Sequence, residues 1–332
     1  MALKVAINGT GRIGIIAAKI ISGRSDIELV AINTTAKPEM LEYLLKFDSV
    51  HSGIDAKIID KDTISIAGKN IRMFSERDIS KLDFGSTGAE VVIECTGTFL
   101  DHSSCQKHLR NGVKKVVMSA PAKDDSPTYV LGVNSDDYHG EAIISNASCT
   151  TNCLAPMCKV LDDAFGIEDG LMTTIHAYTN DQNILDTKHR SDPRRGRAAA
   201  LNMIPTTTGA AKAIGIVMPK LLGKLNGYAM RVPTPDVSVV DLTLNLKTEV
   251  TKEDINAAFN AAAKGAMKGI LEVDNDKRVS SDFIGSTYSA IYIPDMTSVV
   301  GKKMVKVLGW YDNEWGYSCR LVDMTLLVGN YK

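Results

Sequence analysis

Residues 2–33 read A-L-K-V-A-I-N-G-T-G-R-I-G-I-I-A-A-K-I-I-S-G-R-S-D-I-E-L-V-A-I-N. The apolar run at 2–8 predicts a strand buried on both faces. After G-T-G-R-I-G at 9–14, the segment 15–21 has the length and composition of a helix, and I-E-L-V-A-I-N at 27–33 predicts a second strand. Strand, G-x-G-x-x-G, helix and strand within about 30 residues form the signature of a dinucleotide-binding unit. Gly9 permits the tight turn. Gly11 lets backbone approach a pyrophosphate, and Gly14 lets the helix lie close to the strand. The helix N-terminus then meets the phosphates. A plain glycine-rich turn would need none of this context.

An acid normally closes the second strand, where it bonds the adenosine ribose 2′-hydroxyl and repels a 2′-phosphate. Here the position is Asn33, followed by Thr34 and Thr35. Asn carries no charge and can still donate and accept hydrogen bonds. The expectation is a relaxed choice between NAD and NADP.

The rest of the first half continues the pattern. Pro38 opens a helix over 38–47. Short alternating segments at 55–73 turn at Gly68, as a β insertion would. V-V-I-E-C at 91–95 predicts a buried strand ending in Thr96-Gly97, then a helix over 103–110, then a strand at 114–121 carrying Ser119. Residues 128–133 and 142–145 are expected to complete the sheet. The implied class is α/β, a Rossmann-type doubly wound parallel sheet, and open sheets of this kind bind ligands beyond the C-terminal strand ends.

The second half changes character at S-N-A-S-C-T-T-N-C-L-A-P-M-C-K-V-L-D-D-A-F-G, 145–166. Ser148 reads as a helix N-cap and Gly166 as the stop, so Cys149 falls in the first turn. Unpaired N–H groups and the helix dipole there favour a thiolate, a nucleophile waiting for a base. A buried cysteine that happens to start a helix would look the same, and the surrounding residues must decide. G-L-M-T-T-I-H-A-Y-T at 170–179 predicts a strand carrying His176. Residues 180–208 form a long polar loop, functional or an interface. V-V-D-L-T-L-N-L at 239–246 alternates strictly, as an antiparallel strand with one buried face does. An amphipathic helix at 252–267 and strands at 287–293 and 304–310 follow, and the tail at 315–328 predicts a helix. The division expected is a dinucleotide-binding domain at 1–148, with the helix at 315–332 packing back on it, and a catalytic α+β domain with a mainly antiparallel sheet at 149–314.

The totals bound the function. The chain has 332 residues, 44% apolar and 23% charged, with a net charge of −1. That suits a globular protein with a sizeable core, and it argues against nucleic acid or anionic membrane as the main partner. There is no apolar run of transmembrane length, and the chain enters a strand at once, which leaves no room for a signal peptide. The six cysteines lack zinc spacing and are too sparse for a disulfide scaffold. Reduced thiols and a cytoplasmic protein are expected, with no metal.

S-C-T-T-N-C at 148–153, H-A-Y-T at 176–179, S-A-P at 119–121, P-T-T-T-G-A-A-K at 205–212, R-V-P-T-P at 231–235 and W-Y-D-N-E-W-G-Y at 310–317, together with the N-terminal fingerprint, resemble glyceraldehyde-3-phosphate dehydrogenases over the whole chain. The resemblance implies phosphorylating oxidation of glyceraldehyde 3-phosphate, reversibly, through a Cys149 hemithioacetal and thioester with His176 as base. It implies that Thr179, Arg195 and Arg231 hold the substrate phosphate, while Ser148, Thr150, Thr208 and Gly209 hold inorganic phosphate. It assigns Arg12, Ile13, Arg77, Thr96, Ser119, Asn313 and Tyr317 to the cofactor, beside the strand-end Gly97, and it implies a homotetramer. In that tetramer the long loop, here with Lys188, lies near the adenosine ribose of an adjacent subunit. The chain departs from the pattern at the adenosine end: strict NAD enzymes of the family carry Asp where Asn33 stands, usually with a bulky apolar neighbour at Thr34, and commonly an apolar residue and Pro where this chain has Thr187 and Lys188. Erythrose-4-phosphate dehydrogenases share the same Cys and His. A Cys-His hydrolase and a non-catalytic scaffold are the readings from other classes. The dinucleotide fingerprint argues against the first, and intact Cys149, His176, Arg231 and Asn313 against the second.

Overall fold

The computed structural model describes residues 2–331. The chain divides into two compact units. The first runs to Leu131, takes in Asp137–Ser148 and resumes at Ser318; the second holds Gly132–Asp136 and Cys149–Tyr317.

The first unit contains β1 (Leu3–Asn8), α1 (Arg12–Ser22), β2 (Ile27–Asn33), α2 (Pro38–Lys46), β3 (Ala56–Asp60), β4 (Thr63–Ile66), β5 (Lys69–Phe74), β6 (Val91–Glu94), α3 (His102–Cys105), β7 (Lys115–Met118) and β8 (Ile143–Ser145). Its sheet runs β3-β4-β5-β2-β1-β6-β7-β8, parallel from β5 to β8 and antiparallel across β3, β4 and β5. Alternation explains why these strands are apolar throughout. Val5, Ile7, Val91 and Ile93 face one buried cluster, which also takes in Ile15, Ala18, Leu321 and Val328. Ala6, Val92, Val116 and Met118 face another, with Phe84, Leu100 and Cys105. With both faces covered, β6 buries all its side chains, and β1 all but Lys4.

The turn after β1 depends on its glycines. Gly9 has φ +101°, in the region that glycine tolerates best. A Cβ on Gly14 would sit 2.0 Å from the Gly9 carbonyl oxygen, so only glycine lets α1 lie this close to the turn.

The second unit contains α4 (Cys149–Phe165), β9 (Ile167–Ala177), β10 (Ile204–Thr207), α5 (Ala210–Val217), β11 (Leu225–Val232), β12 (Ser238–Leu246), α6 (Lys252–Lys264), β13 (Leu271–Val273), β14 (Ala290–Tyr292), β15 (Ser298–Val300) and β16 (Met304–Tyr311); α7 (Trp315–Asn330) begins at its end. The sheet runs β10-β11-β9-β12-β16-β14-β13, with β15 on β16. Two of its joins, β11 to β9 and β13 to β14, are parallel, and the rest are antiparallel. Val240, Leu242, Leu244 and Leu246 are buried, as their alternation requires, and so are Leu154, Met157 and Leu161 of α4, which packs on this sheet. Each such side chain contributes roughly 1.5–3 kcal/mol by leaving water.

Several expected elements differ. The helix over 103–110 is one turn, α3, followed by a 3-10 turn at Gln106–His108. Ser103 and Ser104 bond back to Asp101 as cap residues do, and Asn111 at φ +52° turns the chain away. Residues 128–133 are not a strand. Thr128 alone bridges to Ser145; Pro127 has no N–H for a ladder, and Gly132 at φ +76° diverts the chain. The strand at 287–293 shrinks to β14, which ends before Pro294. The stretch 180–208 is not all loop, because I-P-T-T forms β10. No helix of the described residues is long and apolar enough to cross a membrane.

Candidate active site

Cross-strand register assembles the catalytic half, which lies within the second unit. Arg231 on β11 stands beside His176 on β9, and Ser238 on β12 stands beside Tyr311 on β16. Cys149 is the first residue of α4, so Ser148 occupies the flanking cap position. Its Sγ lies 3.6 Å from His176 Nε2. The opposite ring nitrogen, Nδ1, is 2.7 Å from the Ala177 carbonyl oxygen and is also contacted by the Arg231 guanidinium. The Tyr311 ring meets the imidazole edge-on at 6.0 Å.

Burial and the neighbouring charges act on both groups. Burial pushes the Cys149 thiol up, against the pull of Arg231 and Thr150. Burial and then Arg231 push His176 down to about 3, against the Ala177 carbonyl. Burial thus opposes the thiolate that the helix N-terminus favours, and it opposes the imidazolium as well.

The residues assigned to phosphate fall in the same unit. Arg195 Nη1 pairs with Asp181 at 2.6 Å and its Nε donates to Thr206 Oγ1 at 2.7 Å, which fixes the guanidinium. Arg195 is near enough to Arg231 to depress it further, after burial. Thr150 Oγ1 bonds Tyr311 Oη at 2.9 Å. Thr179 and Thr208 are partly exposed, and Thr208 Oγ1 accepts from the Ala210 N–H at the start of α5; Gly209 is exposed beside it. Asn313 is tied to the same strand row: the Ala177 N–H donates to Ser238 Oγ, and Ser238 donates to Asn313 Oδ1 at 2.7 Å. Tyr317 is buried, and Lys188 is exposed on its loop.

The residues assigned to the cofactor in the first unit follow the C-terminal ends of β1, β2, β5, β6 and β7, and the strand order reverses on either side of β1. Gly11 precedes α1 with no heavy atom within 4 Å of where a Cβ would stand, so the open side of this turn fits an approaching pyrophosphate. Arg12 pairs with Asp48 at 2.9 Å, Ile13 packs on the apolar cluster, and Arg77 is exposed. Thr34 Oγ1 lies 2.6 Å from Thr10 Oγ1. Thr96 and Gly97 are exposed, and Ser119 is half-buried.

Asn33 departs from expectation. It is buried, and its amide donates both hydrogens, to Asn8 Oδ1 and to the Glu76 carbonyl, each at 2.8 Å. No amide hydrogen remains for a ribose, and Oδ1 accepts from the Glu76 N–H at 2.9 Å, so Asn33 holds the turn at Glu76.

Sequence reasoning missed the supporting groups. Buried Glu94 holds Asn8 at 2.6 Å and the Thr96 N–H at 2.8 Å. A lone acid inside V-V-I-E-C was the signal. Tyr311, Ser238 and Asp181 gave none, because only strand register and loop closure reveal what they touch.

Comparison with known proteins agrees with this geometry. Residues 3–102 match the family model for the NAD binding domain of glyceraldehyde 3-phosphate dehydrogenase, and residues 148–313 match the model for its C-terminal domain. The chain is 52% identical to glyceraldehyde-3-phosphate dehydrogenase of Geobacillus stearothermophilus, across 99% of each chain. It is 51% identical to glyceraldehyde-3-phosphate dehydrogenase 1 of Bacillus subtilis, across 99% of this chain and 98% of that one. It is 53% identical to the chloroplastic glyceraldehyde-3-phosphate dehydrogenase B of Pisum sativum, across 99% of this chain and 74% of that one. The chain belongs to the glyceraldehyde-3-phosphate dehydrogenase family.

Proposed function

We propose that this protein oxidises glyceraldehyde 3-phosphate to an acyl phosphate, taking up inorganic phosphate and passing hydride to NAD or NADP. The observation that carries this reading is Cys149 Sγ at the head of α4, 3.6 Å from His176 Nε2, in a chain of this family. His176 Nε2 takes the thiol proton, and sulfur bonds the aldehyde carbon. The resulting imidazolium and the Cys149 N–H then face the new oxyanion of the hemithioacetal. The dinucleotide, when bound, accepts the hydride, and Asn313, oriented by Ser238, holds its carboxamide. The thioester left on Cys149 is cleaved by inorganic phosphate, held by Ser148, Thr150, Thr208 and Gly209. Thr179, Arg195 and Arg231 bind the substrate's own phosphate, a task suited to forked, permanently charged donors.

Tolerance of NADP rests on the uncharged Asn33, on Thr34, and on Lys188 reaching the ribose of an adjacent subunit. Relieved repulsion plus one charge-assisted bond shifts selectivity by about 1–3 kcal/mol. A homotetramer is supported by exposed Ile184, Leu185, Leu201 and Met203 on or next to the long loop. A cytoplasmic site of action suits the six free cysteines. The test is formation of NADH or NADPH from glyceraldehyde 3-phosphate, with and without inorganic phosphate. Dependence on phosphate supports the reading, and a preference for NAD above a thousandfold ends the dual-cofactor part. Faster turnover of erythrose 4-phosphate would reassign the substrate.

A further inference from the structure

Arg195, the loop arginine given to the substrate's phosphate, is anchored twice: through its guanidinium and through the backbone turn that carries it. Nη1 donates to Asp181 Oδ2 at 2.6 Å, Nε to Thr206 Oγ1 at 2.7 Å and Nη2 to the Thr207 carbonyl at 3.2 Å. A guanidinium has five N–H groups, so one remains on each Nη, a forked pair for a phosphate. The backbone of Arg195 lies in the 3-10 turn Pro193–Gly196, which Asp192 opens. The Asp192 carboxylate accepts from the Arg194 N–H and its carbonyl from the Arg195 N–H, each at 3.0 Å.

His189 touches both anchors, with its side chain only 7% exposed. The N–H groups of Ser191 and Asp192 point at Nδ1 from 3.2 and 3.1 Å, and the Ser191 hydroxyl lies 3.4 Å from it. A backbone N–H only donates, so Nδ1 presents its lone pair and the neutral ring carries its hydrogen on Nε2. Nε2 lies 3.4 Å from Asp181 Oδ1, the carboxylate oxygen that Arg195 does not use. Arg190 approaches the same oxygen, but at 4.0 Å and 88% exposed, where an ion pair contributes little. Against burial, Arg195 and then His189 hold the Asp181 carboxyl below its ordinary value.

We propose that His189 is the positioning residue for Arg195: Nδ1 accepts the N–H groups at the start of the turn, Nε2–H steadies Asp181, and together they aim the remaining fork of Arg195 at the phosphate of the substrate. The other tautomer cannot do this. A hydrogen on Nδ1 would meet two donors, and a bare Nε2 would face a carboxylate oxygen. The loop's own backbone thus sets the tautomer that orients the Asp181–Arg195 pair. The inference rests on the functional reading above, which assigns the phosphate to Arg195.

Two substitutions divide the roles. In His189→Asn the amide oxygen can replace Nδ1, but nothing reaches Asp181. In His189→Gln the amide N–H can replace Nε2, but the two backbone N–H groups lose their acceptor. Each is expected to raise KM for glyceraldehyde 3-phosphate about three- to tenfold with kcat little changed, as loss of a modest hydrogen bond does. The ratio of kcat/KM for glyceraldehyde 3-phosphate over unphosphorylated glyceraldehyde should fall with it. An unchanged ratio in either variant overturns the proposal. In an Arg195→Ala background the same substitutions should lower the ratio no further, and a full additional loss also overturns it. An Arg195→Ala enzyme with unaltered KM would instead sink the phosphate assignment in the functional reading, and the proposal with it. Selective 15N-histidine labelling gives a readout free of kinetics, with His189→Asn used to assign the resonances. The unaltered protein is expected to show a lone-pair Nδ1 and a protonated Nε2 at His189, and a protonated Nδ1 overturns the proposal whatever the rates.

Discussion

Replacing Tyr311 by Phe isolates a buried chain of three hydroxyls under the thiol site. Tyr311 Oη sits 2.9 Å from Thr150 Oγ1 and 2.7 Å from Thr174 Oγ1. Tyr311 is 1% exposed, Thr174 0% and Thr150 4%, so water cannot replace the lost partner. Burial and the neighbouring Cys149 push the phenol well above its ordinary value, so it acts as a neutral hydroxyl. Phe keeps the ring against His176 and removes two hydrogen bonds, each contributing about 0.5–1.5 kcal/mol. Thr150 stands in the first turn of α4 and keeps its side-chain hydrogen bond to Cys149. Thr174, in the middle of β9, has its neighbouring carbonyls committed to the strand ladders on both sides. One orphaned hydroxyl costs about 1–3 kcal/mol, so the expected total loss is about 2–3 kcal/mol. Both tryptophans, Trp310 and Trp315, lie in the second unit, so their fluorescence during urea unfolding reports that unit. The pair Tyr311→Phe with Thr174→Val should cost at least about 1 kcal/mol less than the sum of the singles, because no partner is then left stranded. With Thr150 unmoored, KM for inorganic phosphate should also rise. A single-variant loss below about 0.5 kcal/mol, or strictly additive singles, would refute the reasoning.

Three further outcomes are expected. His176→Asn should lower kcat by about 10²–10⁴-fold and flatten the pH profile of thiol alkylation by iodoacetamide; a loss under tenfold would remove the base from its role. Asn33→Asp should lower NADP use relative to NAD in steady-state kinetics. It should also cost about 1–3 kcal/mol in urea, because a carboxylate cannot donate to Asn8 Oδ1 and the Glu76 carbonyl; unchanged stability would show that the turn rearranges freely. Against the cost of burial, the N–H groups of Val50 and His51 and the Arg12 guanidinium hold the Asp48 carboxyl well below the usual carboxylate range. A depressed folded value makes this contribution full above about pH 5 and progressively lost as the pH falls below about 4. Asp48→Asn should therefore flatten the acid limb of a stability–pH curve, and it should destabilise the neutral protein by about 3–5 kcal/mol, because Lys19, 3% exposed at its side chain, loses its counter-charge. Parallel acid limbs in the two proteins would exclude the assignment.

The sequence alone determined the local events. Strand, glycine turn and helix are encoded in contiguous residues, because apolar runs, positive-φ turns and helix starts are short-range physics. Cys149 at a helix head and His176 on a strand were legible for that reason, and so was the strict alternation of β12. The tertiary structure decided whatever depends on partners distant in sequence. Strand register set Arg231 against His176, and burial set a cost on the thiolate that the helix end alone favours. Buried Glu94 and Asn8 turned the Asn33 amide inward, away from any ligand. Charge state and hydrogen-bond direction are properties of the assembled surroundings, since desolvation and pairing come from chain segments that meet only in the fold.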